Sequence, residues 1–139
     1  MAEKLRDSGS FKGGGEKIWP HFPRLNGKGK WNFLCAYCEM DLLKDIPTWQ
    51  SSHDDHILPQ SKYKSLVNEP TNHAPSCCFC NNLKGRFDAA KDEPRFRDSK
   101  FLTSEERTRF IDAAKEHIEK KRKEKEKQFE QLKSILESS

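Results

Sequence analysis

Two Cys-x-x-Cys pairs, a scant supply of apolar residues and a capped, charge-rich last third together predict a small α+β domain. One metal ion clamps it, and a long charged helix follows. The pairs are Cys35/Cys38 and Cys77/Cys80, with Cys78 as a spare. Five cysteines is an odd number, and the stretch MAEKLRDSGSFKGGGEK has no apolar centre for a secretion signal. A disulfide framework is therefore not expected. Each pair can bite one tetrahedral ion, and four thiolates close its coordination sphere, which predicts structural Zn²⁺. Metal binding then supplies folding free energy. The chain needs it, because only 33% of its 139 residues are hydrophobic and its mean hydropathy is −1.00. That is material for one modest core. No apolar run approaches the ~20 residues that span a bilayer. Membrane and secreted placements are thus disfavoured, and a cytoplasmic location is expected. The net charge is +4, and four thiolates with one Zn²⁺ carry −2, leaving about +2. Such a small excess is weak evidence of nucleic-acid binding.

The elements follow in order. Residues 1–17 combine Gly, Ser and mixed charge and read as a flexible tail. Ile18–Leu25 is apolar but broken by Pro20 and Pro23, which suits an extended edge segment and opens a domain expected over residues 18–100. Trp31–Leu43 reads as a strand, a tight turn around the first cysteine pair and a return strand. Residues 44–51 read as a loop, and Ser52–Leu58 as a short strand ended by Pro59. Asn68, Pro70, Asn72 and Pro75 make 60–76 a loop. A helix is expected from Cys77 to about Ala90, with Gly85 able to interrupt it. In residues 101–139, Thr103 is an N-cap with Glu105 and Glu106 in the first turn. Ile111, Ala114 and Ile118 recur on one face, as do Phe129, Leu132 and Leu136, while Glu119–Lys127 holds no apolar residue. Such a helix either docks on the domain, projects from it, or offers a surface for a partner protein or for self-association.

Chemistry concentrates at His53-Asp54-Asp55-His56-Ile57-Leu58-Pro59. A carboxylate beside an imidazole suits phosphodiester hydrolysis: the first holds a hard cation through oxygen, the second takes a proton from water near neutral pH. Alone the pair is weak, since an Asp-His couple is commonly a surface hydrogen bond. Downstream lie Asn72, Cys77, Cys80, Asn81 and Lys84. The combined pattern is C-x2-C, then D-H-I-x-P, then N-x4-C-x2-C-N-x2-K. It resembles the HNH endonuclease family in its zinc-stapled, treble-clef-like ββα-metal form, over about residues 31–90.

The resemblance implies a role for each matching position. Asp55 and Asn81 would ligate a catalytic Mg²⁺ or Mn²⁺, His56 would be the general base, and Asn72 would brace the loop and the imidazole. The family often carries His where this chain has Asn81, and an amide there keeps an oxygen donor. Asn82, about 100° further round a helix, is disfavoured. His53 and Lys84 are candidate supporting residues. The reaction would be DNA phosphodiester hydrolysis, leaving nicks or double-strand breaks, and domains of this kind serve phages, mobile elements and bacterial defence systems. Two rivals stand beside it: a zinc-binding nucleic-acid or protein adaptor with the chemistry unused, and a subunit active only with a partner. Some of Lys62, Lys64, Lys84, Arg86, Lys91, Arg95 and Arg97 are expected to neutralise backbone phosphates, with solvated mixed charge the equal alternative for each, and interleaved Asp88, Asp92, Glu93 and Asp98 leave no pure basic patch.

Overall fold

The computed structural model describes the backbone of residues 24–25 and 31–32 and the chain from 33 to 139. The expected tail, 1–17, and most of the expected extended segment, 18–25, lie outside the described residues. β1 (Arg24–Leu25) pairs antiparallel with β2 (Trp31–Asn32). The turn holding the first cysteine pair follows, closed by a bridge between Leu34 and Asp41 and by Leu42 N–H donating to the Phe33 carbonyl at 2.8 Å. Next comes α1 (Ile46–Gln50), where a loop is expected. Asp45 caps it by accepting from the Thr48 N–H at 2.7 Å, and a proline in the first turn supplies a pre-set φ.

β3 (His53–His56) and β4 (His73–Ser76) form an antiparallel pair with Asp55 opposite Ala74 and His56 opposite His73. The expected strand at 52–58 is shorter, and the expected loop at 60–76 ends in β4. Between the strands the chain folds into two 3₁₀ turns, Lys64–Leu66 and Pro70–Asn72. α2 (Cys78–Lys84) is half the expected length. Gly85 stops it with φ = 51°, and its N–H donates to the Asn81 carbonyl at 3.1 Å.

α3 (Ser104–Glu137) begins at a capping box in which Thr103 Oγ1 accepts from Glu106 N–H and Glu106 Oε1 accepts from Thr103 N–H. Phe110, Ile111, Ala114 and Ile118 are buried, and every residue after Ile118 is exposed. The two apolar sets of this helix thus have different fates: the first docks, the second does not. The core they join contains Phe33, Leu42, Ile57, Leu58, Leu66, Phe96 and Leu102, with Phe96 edge-on to Phe110 at 4.9 Å. Among the described residues no helix is long and apolar enough to cross a membrane.

This division predicts unequal costs along one helix. Phe110→Ala is expected to lower stability by about 3–5 kcal/mol through lost burial and a cavity. Leu132→Ala is expected to change it by less than about 0.5 kcal/mol. Urea unfolding of the two variants checks this.

Candidate active site

The four cysteines of the two pairs come together. Sulfurs of Cys35, Cys38, Cys77 and Cys80 all lie within 4.8 Å of one another, and Cys38 and Cys77 are 3.8 Å apart. A tetrahedral ion bound at about 2.3 Å requires edges of about 3.8 Å, so the group fits one. Its donor set, four thiolates with no open position, is that of a structural metal. Backbone N–H groups aim at the sulfurs: Tyr37 donates to Cys35 Sγ at 3.4 Å and Cys80 to Cys77 Sγ at 3.3 Å. Cys77 is therefore the N-cap of α2 as well as a member of the sulfur cluster. The Cys80 hydrogen bond pulls the Cys35 pKa down, while burial pushes that of Cys77 up. A crowded sulfur cluster cannot hold several negative charges without a cation among them. Cys78 lies outside the cluster, near Asn82 Nδ2 at 3.7 Å.

The cluster ties the turn of the first pair to the start of α2, and Ala36 N–H donates to the Pro75 carbonyl on β4 at 2.9 Å. β3 is thereby set against α2. Asp55, on β3 and 7% exposed, has three donors around its carboxylate. Asn81 Nδ2 is 3.2 Å from Oδ1, Lys84 Nζ is 3.2 Å from Oδ2, and the Tyr37 hydroxyl also donates to Oδ2. Lys84 is 3% exposed and also donates to the His56 carbonyl at 2.8 Å. A buried ammonium is tolerated because it is paired and hydrogen-bonded. Burial first, then the Asp55 charge, raises the Tyr37 pKa well above its ordinary value, so the phenol keeps its proton and donates.

His56 lines the same cleft of about 420 Å³, with Asp55, Asn81, Lys84 and Arg86. Its Nε2 lies 2.9 Å from the Val67 carbonyl. A carbonyl only accepts, so Nε2 carries the hydrogen and Nδ1 keeps its lone pair. Burial pulls the imidazole pKa below its ordinary value, the neighbouring His73 adds to this, and the Val67 carbonyl opposes it. The neutral ring therefore persists to lower pH than in a free histidine.

Asn72 is fully buried. Its Oδ1 accepts from Leu58 N–H at 2.9 Å, and its Nδ2 donates to the carbonyls of Leu58 at 3.1 Å and Leu66 at 3.5 Å. These bonds brace the loop after β3. The imidazole is held by Val67. Asn82 is exposed and turned away from Asp55, and His53 is exposed at the start of β3, outside the cleft lining.

Two neighbours escape sequence reasoning. Tyr37 sits inside the first cysteine pair, and only folding brings its hydroxyl to Asp55. His73 is fully buried, with Nδ1 2.8 Å from Asp54 Oδ1 and Nε2 2.7 Å from the same Val67 carbonyl that holds His56. The rings of His56 and His73 lie 4.4 Å apart. A polar residue directly after Asn72, in a strand otherwise reading Ala-Pro-Ser, is the one signal that could have marked His73.

The geometry separates ligands from bystanders. Cys80→Ser is expected to lose the tightly bound metal and to unfold at lower temperature, whereas Cys78→Ser keeps one metal per chain. Elemental analysis of the purified variants checks both.

Comparison with known proteins agrees with this architecture. The HNH endonuclease family model matches residues 35–87. The Septu protein PtuB of Bacillus thuringiensis is 36% identical over 61 residues, which cover 44% of this chain and 23% of that protein. The match thus spans about a quarter of the relative's length. No solved structure matches significantly. Residues 35–87, carrying both the sulfur cluster and the cleft, form an HNH endonuclease-family domain.

Proposed function

We propose that this protein is a metal-dependent endonuclease that hydrolyses DNA phosphodiester bonds in the cleft between β3 and α2. The observation that carries the reading is the convergence of a buried carboxylate, an amide and an imidazole with a free nitrogen lone pair on one cleft. Structural Zn²⁺ would fill the four-cysteine site. Asp55 and Asn81 would hold Mg²⁺ or Mn²⁺ through one oxygen each, leaving room for the waters and phosphate oxygens that these hard ions keep. When bound, that ion supplies positive charge to the developing phosphorane and to the departing 3′-oxygen.

The chain's own residues do the rest. Neutral His56 accepts the proton of the attacking water at Nδ1, while its Nε2–H stays on the Val67 carbonyl. The bond to Val67 fixes which nitrogen is the base. Lys84 offsets the Asp55 charge and holds the carbonyl of His56, so the two neighbours cannot swing independently. Arg86, exposed at the cleft, is placed for a backbone phosphate. Water attack in line with the 3′-oxygen leaves 5′-phosphate and 3′-hydroxyl ends. The likeness to a Septu protein over a quarter of its length, together with exposed Phe129, Leu132 and Leu136, supports a second reading in which a partner binds the end of α3 and cutting depends on it.

Supercoiled plasmid tests the reading. Wild type with Mg²⁺ or Mn²⁺ is expected to nick it, and His56→Ala to slow nicking by about 10²–10⁴-fold. Wild type inert in both ions and indistinguishable from His56→Ala favours the adaptor. The rate is expected to rise with pH and to level off below the ordinary histidine range, because burial lowers the His56 pKa and leaves the base form dominant at neutral pH.

A further inference from the structure

We propose that Tyr37 is a positioning residue that transmits the order of the sulfur cluster to the cation-binding carboxylate. The proposal rests on Asp55 being a cation ligand. Tyr37 touches both centres: its backbone N–H donates to Cys35 Sγ at 3.4 Å, and its hydroxyl donates to Asp55 Oδ2. The side chain is 6% exposed and packs in the core between them.

The two carboxylate oxygens of Asp55 are not equivalent. Oδ2 receives both the Tyr37 hydroxyl and Lys84 Nζ, whereas Oδ1 faces the Asn81 amide. With two donors on Oδ2, that oxygen has little capacity left, and rotation of the carboxylate about its bond breaks both contacts at once. Oδ1 is thereby the oxygen that faces Asn81, and only the Asn81 amide, which now donates Nδ2–H to it, has to turn its oxygen inward for the pair to share one ion. Partners of this kind, which hold a ligand and do not bind the metal, change metal affinity by about 10–100-fold. Emptying the sulfur cluster frees the loop that carries Tyr37, so the cation site loses its orientation along with the fold around it. A phenol is suited to the task, being long enough to cross from the turn to β3 and adding no charge to the cleft.

The test uses the full chain with its cysteine site filled and no nucleic acid. Mn²⁺ binding is measured by calorimetry for wild type, Tyr37→Phe, Tyr63→Phe and Asp55→Ala. Tyr63→Phe is the control, because it deletes a different tyrosine–carboxylate hydrogen bond, that to Asp88. Tyr37→Phe is expected to weaken Mn²⁺ binding by about tenfold or more while keeping its cysteine-bound metal, with Tyr63→Phe unchanged. Equal affinity in wild type and Tyr37→Phe overturns the role of Tyr37 and leaves the cation site standing. Absence of Asp55-dependent Mn²⁺ binding in wild type overturns both.

A measurement on the unsubstituted chain covers the case in which Tyr37→Phe sheds its metal. The chain has two tyrosines, so 3-fluorotyrosine labelling gives two ¹⁹F resonances. The resonance of Tyr37 is expected to move on Mg²⁺ addition and that of Tyr63 to stay. Both staying fixed overturns the proposal.

Discussion

The sulfur cluster is the constraint on which the remaining structure depends. It joins two segments 39 residues apart in sequence, the turn at Cys38 and the first turn of α2 at Cys77. Everything the site needs lies near one of these anchors. Asn81 and Lys84 follow Cys80 within four residues on α2, and Asp55 and His56 sit on the strand paired with the one that runs into Cys77. The apolar core is too small to fix such placements alone. Two antiparallel strands of four residues each are marginal without an outside restraint. A metal held by these four cysteines would add free energy that depends on the folded arrangement, and the geometry of the cleft would inherit its rigidity.

Around Asp55 the electrostatics are balanced before any cation arrives. A buried carboxylate without partners would destabilise the fold. Lys84, Asn81 and Tyr37 surround that of Asp55 with donors. A divalent ion entering the cleft as proposed would compete with the Lys84 ammonium already in place. A cleft with its own counter-charge stays folded when empty, at some expense in affinity for the ion. His56 shows the complementary logic. Partial burial keeps the ring neutral, and the Val67 carbonyl takes the one hydrogen that neutral ring has.

How much of this was legible in the sequence follows from how local each cue is. The cysteine pairs announce themselves because two ligands of a tetrahedral ion must sit two residues apart on one turn. The capping box at Thr103 and the stop at Gly85 are equally local, although the helix expected to run to about Ala90 ends six residues earlier, at Lys84. α1 was missed although Asp45 and Pro47 are ordinary start signals, because a five-residue helix with no buried residue leaves no periodic pattern. The second strand of the pair was hidden by Pro75 and by polar His73 and Ser76, which are buried and find their hydrogen-bond partners only in the fold, His73 on Asp54 and the Val67 carbonyl and Ser76 on the Cys77 carbonyl. Tyr37, Val67 and His73 act across distances in the fold that spacing does not encode. Asn72 was read as bracing both loop and imidazole, and its bonds go to the loop. The last third was the most ambiguous, since two similar apolar sets on one helix differ only in whether the domain reaches them.

The central claim is spatial: Asp55 and Asn81, set by the sulfur cluster, share one divalent ion beside His56. Anomalous diffraction from crystals soaked in Mn²⁺ tests it most directly. A manganese peak at about 2.0–2.3 Å from an oxygen of each residue, with His56 facing it, is the expected result. Manganese absent from the cleft, or bound to Asp55 with Asn81 out of reach, contradicts the account.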